Sequence, residues 1–109
     1  MIFVIGPLFS GKKAFAMAHL GCREEDLAEN VQDLVKTDMT EENLTTLAQE
    51  LSQHKVVIAT EVGSGVVPID AVERAKRELA GRLNCLLAER AETVVRVFYG
   101  LPLVLKGRL

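Results

Sequence analysis

The chain has 109 residues, 49% of them hydrophobic and 26% charged, with a formal net charge of −2. That balance suits one globular domain, 1–109, and gives no basic field to attract nucleic acid or an anionic membrane. No apolar run approaches the roughly 18 residues that span a bilayer, and residues 2–5 lack the basic flank and cleavage site of a signal peptide, so a cytoplasmic protein is expected.

Residues 2–5 are continuously apolar and end at Gly6, the pattern of a strand buried on both faces, as in a parallel sheet. Residues 12–20 are Ala-rich and read as a short helix stopped by Gly21. Leu27, Val31, Leu34 and Val35 recur at helical spacing, which predicts a second helix over 24–35. Its first turn holds Glu24, Glu25 and Asp26, suited to the positive end of the helix dipole. Thr40 is an N-cap for a third helix, with Leu44, Leu47 and Leu51 on one face.

Residues 56–59 form another apolar strand, followed by the glycine-rich stretch TEVGSGVVP. Asp70 and Glu73 make a capping-box pattern. It opens the longest helix, 71–91, with Val72, Ala75, Leu79, Leu83, Leu86 and Leu87 along one side. Residues 93–99 are β-rich, Gly100-Leu101-Pro102 reads as a turn, and 103–106 return as an antiparallel edge strand. The order predicts an α/β layered fold whose mostly parallel sheet has about four strands and a C-terminal antiparallel hairpin. So small a sheet leaves an apolar face to be covered, and a homo-oligomer is expected.

Gly6-Pro7-Leu8-Phe9-Ser10-Gly11-Lys12 carries the spacing G-x-x-x-x-G-K of a phosphate loop, placed between a buried strand and a helix start. Glycines let backbone N–H groups turn toward phosphates, the helix N-terminus adds its dipole, and Lys12 reaches the terminal phosphates. The next position normally holds a Ser or Thr hydroxyl that ligates Mg²⁺. Here it is Lys13, whose ammonium offers no lone pair. An ordinary strand–turn–helix corner with a glycine hinge would give a similar pattern.

The second half, residues 56–106, resembles the C-terminal half of the bifunctional adenosylcobinamide kinase / adenosylcobinamide-phosphate guanylyltransferase family. The residues carrying the likeness are Glu61-Val62-Gly63, Gly65, Val67-Pro68, Arg74, Arg77, Gly81-Arg82, Asn84, Ala88 and Gly100. The resemblance implies a P-loop α/β fold and homo-oligomers. It implies ATP or GTP on Gly6 to Lys13, Mg²⁺ as a cofactor, and phosphoryl transfer to the aminopropanol hydroxyl of a corrinoid.

The chain departs from the family at Pro7, Phe9 and Lys13 of the loop. Its middle section, 21–52, is shorter and has no recognisable metal-side carboxylate strand. Neither His19 nor His54 is followed by the arginine pair of the family's guanylyl-accepting stretch. Kinase activity is the first reading, with guanylyl transfer absent. A non-catalytic relative that serves as a binding or assembly subunit is the other.

Glu61 lies just past a buried strand, where ligands bind in open α/β sheets. It could serve the acceptor hydroxyl or the metal, or be a solvated loop carboxylate. Gly63 and Gly65 permit close approach to a ligand or simply a turn. Arg74, Arg77 and Arg82 read as a solvated helix face with pairs such as Glu73–Arg77 and Glu78–Arg82, and by resemblance as contacts to phosphate or a neighbouring subunit. Asn84 is a core amide or a ligand contact. Cys22 and Cys85 are too far apart for a C-x-x-C unit and read as free thiols, and no residue cluster has metal-site spacing. With Tyr99 the only tyrosine and no tryptophan, a base-stacking surface is not expected.

Overall fold

The computed structural model describes residues 1–61 and 70–109. Strand β1 (Ile2–Gly6) leads into helix α1 (Lys12–His19), a short strand β2 (Leu27–Ala28) and helix α2 (Glu41–Leu51). Strand β3 (Val56–Thr60), helix α3 (Ala71–Arg90), and strands β4 (Thr93–Phe98) and β5 (Leu101–Lys106) follow. The sheet order is β2-β3-β1-β4-β5. β1 pairs in parallel with β3 and β4, β2 in parallel with β3, and β5 closes the edge antiparallel to β4. The α/β layering, mostly parallel sheet and C-terminal hairpin are as expected.

The continuous apolar strands work because alternate residues feed two cores. Phe3, Val57, Ala59 and Val94 face Leu44 and Ala48 of α2 and Leu83 and Leu87 of α3. Val4, Val56, Ile58, Val95 and Val97 face Phe15 and Ala16 of α1 together with Cys22. Thr40 caps α2 by accepting from Asn43 N–H at 3.1 Å, and the Asn43 side chain accepts from Thr40 N–H at 3.0 Å.

Among the described residues the sheet has five strands, where about four were expected. The stretch 24–35 is no helix: 3₁₀ turns at Glu24–Asp26 and Val31–Leu34 flank β2. Leu27 and Ala28 pair with Val56 and Val57, and Asn30 stands at φ 55, which interrupts any helix. Strand pairing overrides the helical spacing there. The hairpin turn is Tyr99-Gly100, with positive φ at both residues, so β5 begins at Leu101 and includes Pro102. Asp70 caps α3 through Val72 N–H at 2.8 Å, one residue earlier than a capping box requires. Val72 itself is exposed, and the buried stripe of α3 is Ala80, Leu83, Asn84 and Leu87.

Candidate functional site

The strands β2, β3, β1 and β4 run parallel, so their C-terminal ends share one rim of the sheet. The turn from β1 to α1 crosses that rim. Gly6 cannot carry a side chain: a Cβ there would sit 2.4 Å from Val97 O and 2.8 Å from Ser10 Oγ. Gly11, at φ 86, delivers the chain into α1. The hairpin turn supports the loop from the side, with Gly100 N–H donating to Ser10 O at 2.8 Å. Pro7 is half-buried, whereas Leu8 and Phe9 are exposed, Phe9 at 94%.

Two polar groups of this loop are buried. The Ser10 hydroxyl has no hydrogen-bond partner among the described residues. Lys12 donates from Nζ to Pro7 O at 2.7 Å, with no carboxylate in ion-pair range among the described residues. Burial pushes its pKa below the ordinary lysine value, and the Glu61 charge partly offsets this. A cavity of about 240 Å³ opens beside the loop, lined by Phe9 to Ala14 with Glu29, Asn30, Ile58 and Thr60.

Lys13 turns toward the carboxylates that follow α1. Its Nζ lies 2.5 Å from Glu24 Oε1 and 3.4 Å from Glu29 Oε1. These hydrogen bonds, Glu24 first, raise the Lys13 pKa, and Lys13 lowers that of Glu24.

Glu61 follows β3 and is tied to β1 by Glu61 N–H donating to Gly6 O at 2.8 Å. Its carboxylate is 16% exposed and is held on both oxygens by Arg96 of β4, Nε on Oε1 and Nη2 on Oε2 at 2.8 Å. The Arg96 guanidinium also stacks over Phe98, 4.0 Å from the ring centre.

Arg96 is a site residue that the sequence reading missed. Its signal was present: it is the one charge inside the apolar run Thr93–Phe98, and a charge in a buried strand needs a partner. Glu29 was hidden inside the expected helix and instead directly follows β2 at the same rim.

The remaining candidates scatter. Gly63 and Gly65 lie outside the described residues. Arg74 is exposed on the first turns of α3, and Arg77 lines a separate cavity of about 190 Å³ with Gln32, Asp33, Glu73 and Lys76. Arg82 pairs with Glu41 of α2, Nη2 to Oε1 at 2.6 Å and Nε to Oε2 at 3.2 Å, so it braces two helices where a pair with Glu78 was expected. Asn84 is buried in the core of α3, its Oδ1 unbonded among the described residues. His19 stacks on Phe15 with ring centres 5.2 Å apart, and His54 is exposed.

No helix among the described residues is long and apolar enough to cross a membrane, and no group of three or more His, Cys, Asp or Glu among them could hold a metal.

Residues 22–105 match the family described as cobinamide kinase / cobinamide phosphate guanyltransferase. The match begins beyond the glycine loop. The chain is also 36% identical over 75 residues to the bifunctional adenosylcobalamin biosynthesis protein CobP of Pseudomonas aeruginosa. That alignment covers 69% of this chain and 43% of the relative, so the chain spans less than half of the relative it matches.

Proposed function

The chain belongs to the cobinamide kinase / cobinamide phosphate guanyltransferase family, and from that membership we propose that it binds a nucleoside triphosphate on Gly6 to Lys13 in cobalamin biosynthesis. The observation that carries this reading is the pair of buried groups in the loop. Among the described residues, Lys12 is a buried cation satisfied only by a carbonyl, and Ser10 is a buried hydroxyl without a partner. Both are donors that a phosphate oxygen would satisfy, at the N-terminus of a helix that favours negative charge. Backbone N–H groups of residues 8–12 would cradle the phosphates.

In this reading the acceptor is the aminopropanol hydroxyl of a corrinoid, and the reaction is phosphoryl transfer to it from ATP or GTP. Lys12 neutralises the terminal phosphates, and Glu61, fixed by Arg96, orients the acceptor hydroxyl. Gly63, Gly65, Arg74, Arg77 and Asn84 are kept as candidate contacts to substrate or a second subunit. The protein is proposed to work as a cytoplasmic, single-domain homo-oligomer.

Guanylyl transfer through a phosphohistidine-type link is proposed to be absent, because His19 is stacked on Phe15, His54 precedes β3 at the end of the strand opposite the rim, and neither is followed by an arginine pair. A second reading, a non-catalytic binding or assembly subunit, is favoured by the engagement of both Glu61 oxygens and of Lys13 in ion pairs.

Calorimetry with ATP and GTP, followed by phosphoryl transfer to cobinamide, tests the proposal. Nucleotide binding with turnover supports the kinase, and binding without turnover supports the second reading. No binding of either nucleotide overturns the site assignment. An acid-labile guanylyl label on histidine would overturn the claim about guanylyl transfer.

A further inference from the structure

Phosphate loops ordinarily work with Mg²⁺, held by the Ser or Thr after the loop lysine and by a carboxylate at the end of a neighbouring strand. The rim of this sheet supplies the carboxylate: Glu29 directly follows β2, and Glu24 stands near it. At the hydroxyl's position, however, stands Lys13, and its ammonium bonds to both of these carboxylates. The third acidic group at the rim, Glu61, is taken up on both oxygens by Arg96.

Every carboxylate that a divalent cation would draw on here therefore already has a cation of the chain's own. An ammonium cannot donate a lone pair to a metal, and its charge repels one. The residues present do not fit a magnesium ion.

We infer that the chain carries its own cation at this site: Lys13, held by Glu24 and Glu29, stands in the place of the divalent metal, and the polyphosphate binds without one. The inference rests on the nucleotide-binding reading above, but the metal half of it can be tested alone. With Lys13 in place, an incoming polyphosphate meets the Lys12 ammonium in the loop, while Lys13, at the rim of the same cavity, offsets the charge of Glu24 and Glu29 as a bound cation would. Removing Lys13 would expose Glu24 and Glu29 as free carboxylates and, in a threonine variant, restore the hydroxyl. A divalent site should then appear where none exists in the wild type.

The test uses the whole chain and Mn²⁺, read by electron paramagnetic resonance, in wild type, Lys13→Thr and Lys13→Thr/Glu29→Gln. Lys13→Thr should bind Mn²⁺ about tenfold or more tightly than wild type, and adding Glu29→Gln should remove that gain. Calorimetry with ATP should give wild-type affinities that agree in Mg²⁺ and in EDTA, whereas Lys13→Thr becomes Mg²⁺-dependent. Circular dichroism verifies that each variant is folded. Wild type binding Mn²⁺ as tightly as Lys13→Thr, or losing ATP affinity in EDTA, overturns the inference. Failure of ATP to bind in every arm would overturn the nucleotide reading, and with it metal-free polyphosphate binding. The Mn²⁺ comparison still decides whether Lys13 takes the place of a metal.

Discussion

Glu61 and Arg96 meet across the end of β1, linking the end of β3 to β4, two strands that do not pair with each other. Arg96 pairs in the ladder with Ile5, and Glu61 hydrogen-bonds to Gly6, so the ion pair closes over the start of the glycine loop. A bidentate guanidinium–carboxylate pair fixes both orientation and charge.

Arg96→Met keeps the apolar stem but leaves the half-buried Glu61 carboxylate uncompensated beside the loop. The variant should have a lower urea midpoint than wild type and bind nucleotide about tenfold more weakly, because the freed charge repels phosphate. Glu61→Gln in the same chain should recover much of both losses. Independent, additive effects in the double-mutant cycle would show that the pair does not act as a unit.

Lys12 gives a pH signature with a definite sign. Its pKa is lowered from 10.5 in the folded chain, burial being the larger cause and the Glu61 charge a partial offset. The unfolded state therefore holds more protons between the folded value and 10.5, and stability attributable to Lys12 rises with pH across that window. Below it, the full burial cost is present. Relative to Lys12→Met, wild type should be least stable near neutral pH and gain as pH rises, measured by paired urea titrations. The same variant should lose about tenfold to a hundredfold in nucleotide affinity, the scale of a charge-assisted hydrogen bond.

Gly6→Ala should destabilise the fold by about 1–3 kcal/mol, the usual cost of overpacking. The new Cβ would meet a backbone carbonyl, Val97 O, which cannot move without disturbing β4. Gly81→Ala, with open space at its Cβ, is the control and should be neutral or mildly stabilising in the same urea titration.

The edge strand β5 is exposed along its whole length, and Leu101, Leu103, Val104 and Leu105 give it an apolar surface beside a backbone edge that pairs with no strand among the described residues. A second copy is the proposed cover. Light scattering at high micromolar concentration should show a species larger than 11.9 kDa, and Leu103→Lys should return it to the monomer. A wild-type protein of 11.9 kDa at that concentration would overturn the homo-oligomer.

The elements with local signals were legible from the residues alone. Apolar runs marked β1 and β3, Thr40 marked the start of α2, and the spacing of Gly6, Gly11 and Lys12 marked the loop that crosses the rim. Each of these depends on neighbours a few residues away, where periodicity, capping and turn chemistry act directly.

What only the tertiary structure decided is which distant charges meet. Leu27 has helical spacing to Val31, Leu34 and Val35, yet Leu27 and Ala28 become a strand because β3 offers them a ladder. Arg82 finds Glu41 across 41 residues and Arg96 finds Glu61 across 35, whereas sequence spacing suggested only partners one helical turn away. Lys13 could be recognised in sequence as the wrong residue for a magnesium ligand. That its ammonium is held between Glu24 and Glu29 follows from β2 joining the sheet, because strand pairing, unlike helix periodicity, is settled by residues that the local sequence does not contain.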